Sequence, residues 1–262
     1  MKTVYIASCS WGKDSIAMLL HCIRNRQKYP IDCVIFVNTG MEFDCIYRMR
    51  DKMLPVLHLV GIRYVEIDIS EEFKHFMFFK EIKNRDGSGW HTGYRWCGGV
   101  CRWGTALKMD AISKFIRETY PRGEFAVVQY VGYAADEMYR TERDTAKAGC
   151  KVFPLVEEGI TEAEALRMCY ESGYTFPEES SFGKVRLYDY LSRASCWCCR
   201  NKNLKELNYL YYFFPQYWKK LRELQGYFSD DPMKGPGRSI FDLEERFRKR
   251  GASMTLKMFA EG

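Results

Sequence analysis

The residues best placed to do chemistry form one short run, Ser8-Cys9-Ser10-Trp11-Gly12-Lys13-Asp14-Ser15. It follows the apolar stretch Val4 to Ala7 and opens the helix-like stretch Ile16 to Leu20. A strand, a tight loop and a helix in that order make an anion site. The free N–H groups of the first helical turn point into the loop, and the helix dipole favours negative charge there. Gly12 lets the backbone turn close to a ligand. Lys13 adds a mobile positive charge, and the Ser10 and Ser15 hydroxyls add donors. Asp14 repels an anion. Its presence makes sense if it caps the helix or helps to hold a metal ion that bridges phosphates. The common nucleotide loop, Gly, four residues, then Gly-Lys-Ser/Thr, does not occur.

A second group is made of cysteines. Cys97 and Cys101 are separated by three residues, and Cys196, Cys198 and Cys199 follow much later. Two short-spaced pairs brought together by folding can place four thiolates around one metal centre. Cys196 and Cys199 have a two-residue gap that suits one centre, with Cys198 as the alternative to Cys199. Four thiolates serve an iron–sulfur cluster and zinc alike. The wide gap in the first pair is unusual for a zinc ribbon. Reactive thiols and unliganded cysteines are the other readings. Cys22, Cys33 and Cys169 lie in apolar runs and read as core.

These groups need a scaffold, and the hydrophobic pattern supplies one. Val4–Ala7, Cys33–Val37, Tyr64–Ile67 and Ala126–Val131 read as strands. Ser15–Arg26, Asp44–Val60 and Thr105–Arg117 read as helices between them, with Pro55 a candidate kink. The alternation predicts a parallel sheet with helices on both faces. Residues 71–103 break the rhythm and read as long functional loops. Residues 136–146 read as a polar helix, Val152–Leu155 as a short strand, and Thr161–Glu171 as a helix with a Thr161/Glu164 capping box. From Ser195 the chain turns aromatic and helical, over Leu204–Phe214 and Gln216–Gln225, and ends in a short basic helix. The aromatic run Tyr209–Phe214 reads as core packing rather than base stacking. The predicted division is a nucleotide-binding domain over 1–190 and a cysteine-containing helical extension over 191–262.

Composition narrows the class. The chain has 262 residues, 47% hydrophobic, enough for one large α/β core. No run approaches the length of a membrane span, and no signal peptide is evident. The net charge of +6 is mild and suits a polyanionic ligand. An odd count of 11 cysteines without an export signal predicts a reducing, cytoplasmic setting.

Ser10-x-Gly12-Lys13-Asp14-Ser15 resembles the PP-loop of ATP pyrophosphatases, usually Ser-Gly-Gly-Lys-Asp-Ser. Trp11 replaces the first Gly, which predicts a stiffer loop or an aromatic face beside the nucleotide. Further motifs follow in order. Phe36-Val37-Asn38-Thr39-Gly40-Met41-Glu42-Phe43, Trp96-Cys97 with Lys108 downstream, Gly132 to Arg143, Phe153-Pro154-Leu155, and Ser195-Cys196-Trp197-Cys198-Cys199 resemble segments of the phosphoadenosine-phosphosulfate (PAPS) reductase family, within the PP-loop superfamily. The resemblance implies a doubly wound, mainly parallel α/β fold of the adenine nucleotide alpha-hydrolase type, with a small helical C-terminal extension. It implies that the backbone around Val37, Asn38 and Thr39 receives adenine. Ser10, Gly12, Lys13, Asp14 and Ser15 would hold phosphates or sulfate, with Ser8 and Trp11 also lining the nucleotide site. Lys108, Arg140 and Arg143 would reach the anionic end, with Lys13, Asp14, Lys108 and Arg140 as catalytic groups. Cys97, Cys101, Cys196 and Cys199 would carry a 4Fe-4S cluster, with zinc as the alternative.

Two departures shape the functional expectation. Family reductases attack sulfate with a thiolate near the C-terminus, and no cysteine follows Cys199. Gly132 is followed by Tyr133 and Ala134, so the family's Arg at that place is missing. The expectation is therefore cleavage of Mg-ATP between its α- and β-phosphates, adenylating an acceptor for sulfur transfer to a nucleic acid. The alternatives are a sulfonucleotide reductase with another nucleophile, such as Cys198, and a non-catalytic nucleotide- or nucleic-acid-binding module. The expected partners are an adenine nucleotide, a tRNA or DNA acceptor or a sulfur-carrier protein, and a second copy of the chain, with no membrane.

Overall fold

β-Branched and aromatic residues crowd the short apolar runs, and these become the strands of one sheet. The computed structural model describes residues 1–84, 86–96, 102–142 and 149–260, with backbone alone at 102 and 251–260. In chain order the elements are β1 (Lys2–Ser8), α1 (Lys13–Arg24), β2 (Cys33–Asn38), α2 (Asp44–Leu59), β3 (Arg63–Asp68), α3 (Ser70–Phe78), β4 (Glu81–Lys83), β5 (Trp90–Thr92), α4 (Arg102–Thr119) and β6 (Phe125–Val131). A 3-10 turn over Ala135–Arg140 leads to β7 (Cys150–Val152), α5 (Pro154–Glu157), α6 (Glu162–Glu171), β8 (Pro177–Ser180) and β9 (Gly183–Arg186). The helices α7 (Leu204–Phe213), α8 (Pro215–Tyr227) and α9 (Ile240–Ala260) complete the described chain.

The contacts divide the chain into two units, 1–70 with 105–176, and 71–104 with 177–262. These interleave along the sequence, whereas the division read from composition is a single cut at 190.

The first unit holds the five-stranded sheet, in the order β3-β2-β1-β6-β7. Every pair in it is parallel. The fold is the expected doubly wound α/β. On one face, Val4, Ile6, Cys33 and Ile35 pack against Ile112, Phe115 and Ile116 of α4. On strand β1, Tyr5 points the other way and stacks on Tyr130 of β6. Strand order reverses beside β1: the chain steps outward through β2 and β3, then returns to add β6 on the other side. The crevice above the carboxyl ends of β1 and β6 is the topological switch point, where ligands bind in such sheets.

The second unit contains α3, the hairpins β4–β5 and β8–β9, and the helices α7, α8 and α9. Its aromatic run packs inward in part: Tyr211 lies against Trp218 and Phe247 and Phe214 is fully buried, whereas Tyr212 is exposed.

Several local expectations change. Residues 71–103 contain a helix and a hairpin besides loops. Residues 153–155 are not strand: Pro154 opens α5, because a proline at the first helical position loses no hydrogen bond. Of the helix expected over 136–146, a 3-10 turn ends at Arg140, and 143–148 lie outside the described residues. Pro55 sits inside α2, which continues to Leu59. The basic tail is a 21-residue helix. The Thr161/Glu164 capping box is present as read. Among the described residues, no helix is long and apolar enough to cross a membrane.

Candidate functional site

The candidate site is built from the carboxyl ends of β1, β2 and β6. Gly12 is the N-cap of α1, with extended backbone and no side-chain cap hydrogen bond, and a helix start of this kind turns its first N–H groups towards an anion. Ser15 Oγ donates to the Gly12 carbonyl at 3.0 Å and lies 3.3 Å from Ser10 Oγ. Ser8 ends β1, half-buried.

Lys13 is 4% exposed. Its Nζ donates to both Asp14 oxygens at 3.0 and 3.1 Å and to Glu162 Oε2 at 2.8 Å. Burial alone would depress the Lys13 ammonium, but Asp14 and Glu162 outweigh it and hold its pKa above the ordinary value. Asp14 moves the other way from a simple ion pair. Burial pushes its carboxyl up, and Glu162 and Glu137 add to this against the pull of Lys13. One ammonium cannot offset several carboxylates in a desolvated site. Asp136 Oδ1 accepts the Glu162 N–H at 3.0 Å, fixing the start of α6 beside the loop.

Trp11 corrects an expectation. Its ring is fully buried, against Phe36 and Tyr64, so it offers no face on which a nucleotide could stack. Its φ of 59° is in the left-handed region that a glycine adopts without strain. Here aromatic packing offsets the backbone cost.

The β1–β2 ladder ends at Ser8↔Ile35, whereas β2–β3 pairing runs on to Asn38↔Asp68. Phe36, Val37 and Asn38 thus extend past the β1 ladder, leaving a backbone edge of the kind expected to receive adenine. The Asn38 side chain is occupied, accepting from Gly40 N and Tyr47 Oη and donating to Glu66. Thr39 is buried and donates through Oγ1 to Glu42. Glu42 also accepts from Lys108 Nζ at 3.0 Å and from Tyr47 Oη at 3.1 Å. Burial would raise the Glu42 carboxyl, but Lys108 and these hydroxyls hold it below its usual range.

Arg140 donates to the buried Glu137 at 2.6 Å, and its guanidinium lies 4.1 Å from the Tyr133 ring centroid. Tyr133 stacks on Phe153. A Cβ on Gly132 would come within 2.9 Å of the Asp14 carbonyl oxygen, so the end of β6 presses directly on the loop. Arg143 lies outside the described residues.

Cys97 and Cys101 also lie outside them. Cys196 and Cys199 share a tight turn in which Cys199 N–H donates to the Cys196 carbonyl at 3.0 Å. Both are half-buried, and Cys198 is fully buried. The turn rests on Lys202, buried beneath it, whose Nζ donates to Ser195 Oγ. Lys234 Nζ donates to the carbonyls of Arg200 and Lys202. A cysteine pair on one turn with ammonium groups around it fits half of a thiolate-ligated centre. Among the described residues there is no group of three or more His, Cys, Asp or Glu able to hold a metal ion.

Sequence reasoning missed Glu162 and gave Glu42 no role. Glu162 follows the Thr161 cap directly and carries no local signal of its partner. Glu42 stands within the strand-end motif quoted for the resemblance, which was the available hint.

The model of the phosphoadenosine phosphosulfate reductase domain matches residues 4–157. The chain belongs to this family. The match covers β1 through α5, and so most of the candidate site; Glu162 falls just beyond it. No curated protein matches the chain. Among solved structures, the chain is similar to the U34-tRNA thiolase NcsA from Methanococcus maripaludis with its 4Fe-4S cluster. That similarity is at 15% identity and a TM-score of 0.44, covering 95% of this chain and 73% of that one.

Proposed function

We propose that the protein is an ATP pyrophosphatase-type enzyme that adenylates an acceptor oxygen. The carrying observation is the sharing of Lys13 between Asp14 and Glu162. Around it, Lys13, Lys108 and Arg140 are accompanied by Asp14, Glu42, Asp136, Glu137 and Glu162. A site so rich in carboxylates repels a bare sulfonucleotide. It suits a nucleotide that brings Mg²⁺ with its phosphates, since carboxylate oxygens are ligands for that ion. Asp14, together with the phosphates, would hold that ion, which would neutralise charge on the transferring group.

In this reading the nucleotide phosphates lie over the N-terminus of α1, and the adenine meets the free edge of β2. The acceptor oxygen attacks the α-phosphorus, the bond from it to the bridging oxygen breaks, and pyrophosphate leaves with that oxygen. Lys13 and the α1 N–H groups stabilise charge on the transferring group, through positioning and electrostatics. A hydrosulfide-level sulfur then attacks the adenylated carbon, the C–O bond breaks and AMP leaves with the acceptor oxygen, giving a thiolated product; a nucleic acid is the acceptor we favour. Cys196 and Cys199, with Cys97 and Cys101, would hold an iron–sulfur centre whose chemistry is to hold or deliver sulfur. The buried Cys198 weighs against the reductase alternative, because a nucleophile must reach its substrate.

Calorimetric titration of anaerobically purified protein with Mg-ATP and with PAPS tests the reading. Binding of Mg-ATP that is lost in Lys13→Ala is expected. Preference for PAPS, with sulfite released, overturns it.

A further inference from the structure

The net charge of the chain is not shared between its two units. Residues 71–104 and 177–262 carry 22 Lys and Arg against 15 Asp and Glu, a charge of +7, and the rest carries 18 against 19, a charge of −1. The net positive charge therefore belongs to the second unit. Within it, the β4–β5 hairpin is unusual in what it exposes. All three residues of β5 are exposed, with Trp90 at 67%. Phe79, at the entry to β4, is 66% exposed. Neither ring is buried in the core, although Phe79 touches Phe78 with ring centroids 5.9 Å apart.

The hairpin interleaves these rings with lysines, and one carboxylate, Glu81, shares the face of Lys83 and Trp90. Lys83 pairs directly across from Trp90, and residues paired across two strands share a face. Lys80 Nζ sits 3.6 Å from the Phe76 ring centroid and 5.8 Å from that of Tyr94. Phe76 stacks on Tyr94, and Tyr94 on Trp103. The base of the hairpin is held firmly on α3. Gly93 N donates to the Lys80 carbonyl, Tyr94 N to that of Phe76 and Arg95 N to that of Met77. Gly93 has φ +72°, and a Cβ there would clash with the Met77 carbonyl oxygen. The exposed rings therefore stand on a fixed platform, and little ordering is needed before they bind.

We propose that the β4–β5 hairpin is a contact for single-stranded nucleic acid, with Trp90 and Phe79 stacking on unpaired bases and Lys80 and Lys83 on the phosphates. Aromatic faces beside lysines are how single strands are held without reading sequence. A protein partner would be served by the exposed rings but gives no reason for the lysines or for the charge of the unit. The proposal deepens the adenylation reading by placing its nucleic-acid acceptor, and it rests on that reading only for the choice of acceptor.

The test is fluorescence anisotropy with the full chain and fluorescein-labelled RNA and DNA single strands and a DNA duplex. Single strands bind more tightly than duplex, and the RNA and DNA arms show which acceptor is preferred. Trp90→Ala weakens single-strand binding by about tenfold or more. Lys83→Ala weakens it and flattens its dependence on salt. Both variants keep the wild-type affinity for Mg-ATP. Absence of binding, preference for duplex, binding indifferent to Trp90→Ala and Phe79→Ala, or a Trp90-dependent dimer in place of nucleic-acid binding each overturns the proposal. Wild-type protein that binds single strands through Trp90 but does not bind Mg-ATP leaves the hairpin standing and removes the adenylation reading.

Discussion

Glu162 Oε2 accepts a 2.8 Å hydrogen bond from Lys13 Nζ across 149 residues of chain. The cation that the PP-loop presents is thereby set before any ligand arrives. Its aim is fixed by the first residue of α6, and its charge is shared with Asp14. Lys13→Ala should abolish Mg-ATP binding and destabilise the fold by about 3 kcal/mol, because a buried charge loses its partner. The loss should depend on pH in a definite direction. Without the ammonium, Asp14 loses the one partner that lowers its carboxyl, and its folded-state pKa rises further. A carboxyl raised in this way disfavours folding above that value, so the deficit against wild type should be largest near pH 7 and shrink as pH falls. Urea melts at several pH values measure it. A deficit independent of pH would contradict the shared ammonium.

The Glu42 carboxyl lies below its ordinary 4.5 in the fold. A group depressed on folding adds stability that is present above its unfolded value and is lost as pH falls through its folded one. Glu42→Gln should therefore be less stable than wild type at neutral pH and should lose less between pH 5 and 3. Parallel acid titrations followed by circular dichroism give the comparison.

Gly132→Ala should weaken Mg-ATP binding while leaving the protein folded. The added Cβ falls 2.9 Å from the Asp14 carbonyl oxygen and 3.1 Å from Ser15 Cα. Both are backbone atoms of the first turn of α1, so the loop must shift. Calorimetry on the variant, with wild-type-like circular dichroism as the control, reads the effect.

Trp11→Gly should relieve the left-handed backbone yet lower stability, by about 3 kcal/mol. The lost packing against Phe36 and Tyr64 exceeds the conformational gain. Affinity for Mg-ATP should survive, since the ring lies in the core. A variant that is stable but cannot bind nucleotide would place the ring at the ligand after all.

Alkylation of the metal-free protein should divide its cysteines. Burial pushes the Cys9, Cys22 and Cys169 thiols up to about 12 and Cys33 to about 11. These should resist iodoacetamide at pH 8, because only the thiolate reacts. The exposed Cys150 should react first, then the half-buried Cys196 and Cys199, and the buried Cys198 late. Mass spectrometry of timed digests checks the order.

Much of this protein was determined by local sequence. The alternation of short apolar runs with helical stretches pointed to a parallel sheet, because a run such as Cys33–Val37 has no polar face to leave in water. Ser10 to Ser15 marked the first βα junction through the spacing of glycine, lysine and hydroxyls. The Thr161/Glu164 capping box announced its helix because both hydrogen bonds lie within four residues. What depended on long-range packing was illegible. The hairpin at 81–92 pairs only three residues on each strand and buries little, so it leaves no periodic signal. The burial of the Trp11 ring depends on Phe36 and Tyr64, which belong to other strands. The partner of Lys13 could not be read either. Several carboxylates follow the PP-loop in sequence, and only the return of the chain through β6 and α6 decides that Glu162 reaches it.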